Sequence, residues 1–275
     1  MTREDGEEFR AVLTRAVREQ SLEPEGAAQI SCALLFSGGT DSLTLLWVLL
    51  QAGFRPACYT FRLRAVESAD ARAAAAACRR WEVPHEIVTE GEGSVEADVR
   101  EVVKIIASAR KTHVEVMYAY LHLMRAVREK HVWSGIQADT LYGSNKRSAI
   151  ACGKSTAEQF ARFRRKLLAS PSQEGLAQAG AVAARCGRIF HAPYSHPLVR
   201  EWFMRWSWAD LNRPRQKMPA LWGFAREFAD CGLYRRDDNL QCGSGIREHM
   251  AEAFGGKQAR AYKSMLKEAE FLWNA

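Results

Sequence analysis

Six consecutive residues, Ser37-Gly38-Gly39-Thr40-Asp41-Ser42, constrain this chain more than any other feature. They follow a short apolar run, Cys32-Ala33-Leu34-Leu35-Phe36, suited to a buried strand, and they lead into residues 41–52, which are apolar at helical spacing as far as Gly53. A strand that passes into a helix through two glycines and flanking hydroxyls brings backbone N–H groups and a helix N-terminus to one point, where an anion is favoured. The pattern predicts a phosphate cradle. It is not the G-x-x-x-x-G-K-S/T loop, and it is not the G-x-G-x-x-G dinucleotide turn.

The surrounding periodicity supplies a frame for that cradle. Residues 57–61 and 85–88 read as strands and residues 68–81 as a helix, so the region alternates βαβαβ. Such alternation implies an α/β fold with a parallel sheet covered on both faces and a ligand at the carboxyl ends of its strands. Helices over 95–108 and 114–130 and a short strand at 131–134 follow, and beyond Ser155 the pattern reads as helical throughout. The expected organisation is an N-terminal helical extension (1–28), a nucleotide-binding core (29–154) and a mostly helical C-terminal part (155–275). The alanine run at 73–77 needs only helix propensity to explain it.

Of the 275 residues, 47% are hydrophobic and 26% charged, which excludes a disordered or collagen-like chain. No apolar run approaches the ~20 residues of a membrane span, and residues 1–20 are acidic and polar, unlike a secretory signal. A cytoplasmic protein with no membrane partner is expected. Seven scattered cysteines without a C-x-x-C pair, and seven histidines without metal-box spacing, argue against a disulfide framework or a zinc site. Residues 1–158 hold 20 basic and 21 acidic side chains, whereas residues 159–275 hold 19 and 11. That asymmetry favours an anionic partner for the second half, although a solvated basic face has the same effect.

The six-residue loop matches the SGGxDS signature of the PP-loop ATP pyrophosphatase superfamily, which includes asparagine synthetase, beta-lactam synthetase, GMP synthetase and NAD synthetase. The resemblance implies an adenine nucleotide alpha hydrolase-like fold and AMP-forming activation, with Ser37, Gly38, Gly39, Thr40, Asp41 and Ser42 on the phosphates of ATP. A second segment, Val132-Trp-Ser-Gly-Ile-Gln-Ala-Asp-Thr-Leu-Tyr-Gly143, is similar to SGEGADELFGG of asparagine synthetase. It places Asp139 on the metal-binding aspartate, so Asp41 and Asp139 would hold Mg²⁺, with Ser134, Gly135 and the strand ending at Phe61 beside the nucleotide. Read alone, Asp139 fits a loop or cap residue better than a metal ligand. Residues 192–201 and 235–245 resemble more weakly the family's P-F-L-D segment and its R-x-K-E-x-F-S-D-G-x-G loop. A glutaminase domain with its nucleophilic cysteine is not expected, since residue 2 is Thr2.

The departures from the family are as informative. Ile136 and Thr140 replace two glutamates, His196 replaces the P-F-L-D aspartate, and Asp237 replaces the loop lysine. An aliphatic side chain accepts no proton, and a carboxylate does not neutralise a developing phosphate charge, so asparagine synthesis itself is not expected. Four residues are candidates for the chemistry: Lys217, near the family's K-x-x-L-R position; Arg236 and Arg235, in place of the missing lysine; and His196 as a base. The aromatic-basic stretch from Trp202 to Trp208 and the run from Arg162 to Lys166 would suit a nucleic-acid surface, but tryptophans at helical spacing fit a core better. The expected protein uses ATP and Mg²⁺ to adenylate a carboxylate or amide-like oxygen for attack by an amine, with ammonia or an amine supplied in some cases by a separate donor protein. A base in tRNA or DNA as acceptor, and a catalytically inactive nucleotide-binding module, are the alternatives.

Overall fold

The chain is described here as a computed structural model over residues 1–21, 30–66, 68–169, 175–231 and 244–274. Five parallel strands, β1 (Ser31–Leu35), β2 (Arg55–Phe61), β3 (His85–Val88), β4 (His131–Trp133) and β5 (Ile189–His191), stand in the order β3-β2-β1-β4-β5. From β1 the chain first builds outward through β2 to β3, then returns to lay β4 and β5 on the other side. The order reverses at β1, and the crevice between the carboxyl ends of β1 and β4 is where a ligand of such a sheet binds.

β1 is buried on both faces, so its residues point alternately into two cores. Cys32, Leu34 and Phe36 join one core with α1 (Arg3–Ser21) and α2 (Thr40–Gln51), whose Leu43, Leu46 and Trp47 are buried. Ala33 and Leu35 join the other, beneath α4 (Val95–Ile106) and α5 (Lys111–Ala126), through Val99, Val103, Met117 and Leu121. Two layers of helix thus enclose the sheet, as expected from sequence. Between β2 and β3 lies α3 (Ala69–Arg80), whose Ser68 side chain caps it by accepting from the Ala71 amide at 3.2 Å. The alanine run has a packing role beyond propensity: Ala73 and Ala74 form a flat surface against which Gly38 rests.

Two expectations are corrected. The region beyond Ser155 is not helical throughout, because Ile189–His191 pairs with β4 in register His131↔Ile189 and Trp133↔His191. Only three residues long, with Ile189 exposed at its start, that strand leaves no period-2 signal to read. The second correction concerns α1, expected as an extension. It packs on α10 (Pro197–Met204) and α12 (Met218–Gly223), with the Phe9 ring 5.2 Å from Trp202 and 5.6 Å from Phe203. A side chain at Gly6 would place its Cβ 2.5 Å from the Gly223 amide nitrogen, so these helices touch backbone to backbone.

The tryptophans of the aromatic-basic stretch pack against the core. Trp202 is buried, and Arg205 lies over the Trp202 and Trp206 rings while pairing with Glu8 at 2.7 Å. Arg164 leaves the basic run altogether: it is fully buried, donating to the Leu141 carbonyl at 2.9 Å and the Trp206 carbonyl at 3.0 Å. Among the described residues no helix is long and apolar enough to cross a membrane.

Two outcomes follow from this packing. Gly6→Val forces α1 and α12 apart, and overpacking of that kind costs about 1–3 kcal/mol, measurable as a lowered thermal midpoint. His191 stacks on Trp133 at 4.3 Å and lies 2.9 Å from the His131 Nδ1, and burial, then the His131 charge, hold it down to about 4. The folded protein therefore binds fewer protons than the unfolded chain below the ordinary histidine value, about 6.5. Stability present above pH 6.5 should be lost as pH falls toward 4, and thermal scans of His191→Gln should show a flatter acid limb.

Candidate functional site

The cradle loop leaves β1 through Phe36, whose amide donates to the Tyr59 carbonyl at 2.9 Å and so extends the sheet pairing by one residue. Gly38 then takes φ +70°, and a Cβ there would fall 2.6 Å from the Ala74 nitrogen. Left-handed backbone and close approach both demand glycine. The loop hydroxyls are tied to each other: Ser37 Oγ accepts from the Gly39 amide at 3.3 Å, and Ser42 Oγ, 3.3 Å from Ser37 Oγ, donates to the Gly39 carbonyl at 3.1 Å. Helix α2 begins at Thr40 with no side-chain cap, so its first turn, whose N–H groups have no acceptor within the helix, opens on the crevice. Ser37, Gly39, Asp41 and Ser42 line a cleft of about 400 Å³, a volume typical of small-molecule sites. Gly38 and Thr40 do not line it: they are buried behind the loop, and their contribution is its shape.

Across the crevice, Asp139 stands on the short helix α6 (Ala138–Tyr142) that follows β4. Gln137, at φ +75°, turns the chain into this helix, and its Oε1 accepts from Arg200 at 3.1 Å. The carbonyls at the end of α6 are satisfied by side chains from later in the chain. Leu141 is served by Arg164, Tyr142 by Asn212 at 2.7 Å, Gly143 by Trp208 Nε1 at 2.8 Å, and Ser144 by Gln216 at 3.1 Å. Gly135 is small for a reason, since a Cβ there would lie 3.3 Å from that of Asp41. Ser134 lines the cleft beside it, its hydroxyl 2.8 Å from Tyr120.

Lys217 joins the two halves. Its side chain is only 3% exposed, and its ammonium donates to Asp41 at 2.6 Å and reaches Asp139 at 3.0 Å. The Tyr142 ring lies 5.7 Å from it. Lys217 itself adopts φ +62°, a costly conformation for a side-chain-bearing residue that the surrounding contacts impose. Asp139 loses solvation in the cleft, which alone would raise its pKa. The Lys217 charge and hydrogen bonds from Ser144, at 2.5 Å, and Lys217 outweigh this and hold its carboxyl below the usual aspartate range. Two carboxylates converging on one point give hard oxygen donors of the kind Mg²⁺ takes alongside substrate phosphates. The residues present fit that ion. Among the described residues no group of three or more such ligands exists, so phosphate or water oxygens would complete the shell.

The far wall was legible from sequence only in Phe61, at the end of β2, which lines the cleft as expected. The rest of it, Arg110, Thr112, His113 and Met117 at the start of α5, was not. The sequence reading began that helix at 114, three residues late, and so left Arg110 and His113 in a connection. Burial, and then the Arg110 charge, lower the His113 pKa from its ordinary value. Ile136 and Thr140, the positions without the family's glutamates, also face the cleft. His196 does not. It occupies the N-cap position of α10 without a side-chain cap, its Nε2 3.3 Å from a Glu19 carboxylate oxygen and outside the cleft, away from the proton-transfer role expected of it. Arg235, Arg236 and Asp237 lie outside the described residues.

The family model for asparagine synthase matches residues 8–243. No curated protein sequence matches the chain significantly. Among solved structures, the tRNA thiolase NcsA from Methanococcus maripaludis, with its 4Fe-4S cluster, is similar at 12% identity and a TM-score of 0.41, over 96% of this chain and 79% of that one. A predicted subunit of tRNA methyltransferase from Methanocaldococcus jannaschii is similar at 13% identity and a TM-score of 0.34, over 63% of this chain and 74% of that one. Likeness at that distance says nothing of substrate. The loop after β1, the aspartate after β4 and the extent of the family match together place this chain in the asparagine synthase family of PP-loop, ATP-using proteins.

Proposed function

We propose that the protein is an AMP- and pyrophosphate-forming ligase that adenylates a carboxylate or amide-like oxygen and passes it to an amine. The observation that carries this reading is the Lys217 ammonium held between Asp41 and Asp139 beside the cradle loop. In the first step the acceptor oxygen attacks the α-phosphorus of ATP, the bond to the bridging oxygen breaks, and pyrophosphate leaves with that electron pair. In the second, an amine attacks the adenylated carbon and AMP departs. Negative charge grows on phosphate oxygens during the first step, and a fixed, nearly dry cation stabilises it without reorganisation. The α2 N-terminus and the Ser37 and Ser42 hydroxyls position the phosphates.

Asp41 and Asp139 would hold Mg²⁺, which would supply positive charge to offset that of the phosphates. Phe61, Ser134 and Gly135 flank the nucleotide. Arg236 remains a candidate for a second phosphate contact. Ile136 and Thr140 remove two carboxylates from the acceptor side, so the acceptor differs from aspartate. A separate protein supplying ammonia or an amine, and a cytoplasmic setting, complete the proposal. A second reading, an acceptor base within tRNA or DNA, draws support from the exposed Lys146 and Arg147, next to cleft-lining Asn145, and from exposed Arg213 and Arg215 before Lys217. The reading as an inactive module is disfavoured by the intact Asp41–Lys217–Asp139 arrangement.

Pyrophosphate release, measured with ATP and Mg²⁺ against pooled amino acids with ammonium and then against tRNA or DNA, tests the proposal. Acceptor-dependent release that Asp41→Ala lacks supports it; ATP binding with no release from any pool refutes it. Lys217→Met should lower kcat by about 10²–10³-fold, as loss of a charge-stabilising donor does. His196→Ala should leave turnover within about twofold, since its side chain meets Glu19 and not the cleft.

A further inference from the structure

The far wall of the cleft carries chemistry that the adenylation scheme does not use. Resting on that scheme, we propose that the first turn of α5 is the recognition site for an oxyanion on the acceptor, a carboxylate or a phosphate, gripped by Arg110 and hydrogen-bonded by His113. Four observations converge on this. Helix α5 is 16 residues long and starts at the cleft with Arg110 in the N-cap position and no side-chain cap, whereas Ser68, Ser94, Asn145 and Thr156 cap their helices through a side-chain oxygen. Its first turn contains no acidic residue to offset the dipole. The Arg110 amide donates to Ser108 Oγ at 3.2 Å and the His113 amide to the Arg110 carbonyl at 2.9 Å, which leaves the Lys111 and Thr112 N–H groups without an acceptor in the helix.

His113 lines the same turn and is 8% exposed, and its Nδ1 is shut from water with no hydrogen-bond partner. A buried ring nitrogen of that kind is unfavourable until something supplies its partner. The last observation is the charge along the lining. Among the described residues the cleft presents three carboxylates, Asp41, Asp70 and Asp139, and two permanent cations, Lys217 and Arg110. Lys217 is committed to Asp41 and Asp139, while Arg110 is exposed and its guanidinium has no acidic partner among the described residues.

An oxygen paired to a guanidinium is a poor nucleophile, so the group held there identifies the acceptor and a different oxygen reacts. The two sources of such a group separate the two acceptor classes: a carboxylate points to an amino-acid-like molecule and a phosphate to a nucleotide or polynucleotide.

Selective histidine labelling tests this directly. With the protein saturated by a non-cleavable ATP analogue and Mg²⁺, inorganic phosphate and acetate are titrated while the ring signals of His113, assigned with His113→Gln, and the Gly39 amide are followed. Saturable shifts at His113 are expected with at least one anion, the stronger naming the source. Arg110→Ala should weaken that binding about tenfold, and Arg110→Lys should restore most of it. Thr112→Asp, which suits a helix start and so should fold, should also abolish the response by repulsion. Analogue affinity should stay within about twofold in all of these variants. No response at His113 to either anion overturns the proposal, as does a tenfold loss of analogue binding in Arg110→Ala, which would put Arg110 in the nucleotide site. Failure of the analogue to move Gly39 would instead strike the ATP reading, with His113 still reporting the anion separately.

Discussion

A single buried ammonium holds this molecule's functional half together. Lys217 draws Asp41 and Asp139 to one point from segments that the chain separates by 176 and 78 positions. Removing water from a charge of this kind is expensive, and leaving it without one partner costs about 3–5 kcal/mol. The contact therefore dictates where three segments must stand: the start of α2, the start of α6 and the turn before α12. The positive φ at Lys217 shows how far the backbone bends to meet it. Behind that turn, α12 is fixed by α1 through the Gly6–Gly223 approach, with Arg10 donating to the Gly223 carbonyl at 3.2 Å and pairing with Glu227 at 2.7 Å. The first helix of the chain, remote from the cradle in sequence, is thus part of what aims the lysine.

The sheet topology decides where this assembly can form. Only at the point where strand order reverses do two strand ends leave a crevice between their connections, and the two connections concerned are the cradle loop and the segment around Asp139. Both connections then economise on side chains where they meet other backbone. Gly38 lets the loop press on Ala73 and Ala74, and Gly135 passes beside Asp41. A side chain at Gly38 would force the loop off Ala73 and Ala74, and one at Gly135 would push Asp41 by a few tenths of an ångström, so both glycines fix how the cleft wall stands.

What the sequence disclosed follows from this geometry. The cradle was legible because its six residues are contiguous and its strand and helix adjoin it. Asp139 was legible through a contiguous segment of the same kind. Lys217 was visible only as a candidate, since no local pattern says that a lysine after a turn will be buried between two distant carboxylates. Gly6 against Gly223 is invisible for the same reason. The start of α5 was missed because Arg110 is a poor N-cap and gives none of the usual helix-start signals, while β5 was too short to show a period. His196 misled because it occupies a position aligned with a family aspartate, yet its side chain turns to Glu19.

The two halves of the cleft carry different constraints. On the phosphate side, every group is engaged by another: Ser37 with Gly39, Ser42 with the loop, Asp41 and Asp139 with Lys217, Ser144 with Asp139. Such mutual engagement gives a rigid surface suited to one ligand, because few single changes leave the rest satisfied. Elsewhere on the lining, Ile136 and Thr140 stand where the resemblance places carboxylates, and among the described residues Arg110 and His113 pair with none. Two anionic positions are lost from a cleft that also exposes an arginine, and both differences shift the local field toward accepting negative charge. A surface loosely engaged by its own protein can change with little loss of stability, whereas the lysine-centred side cannot. The lysine-centred half is thus the part of the cleft held by its own contacts, and the α5 half is the part open to change.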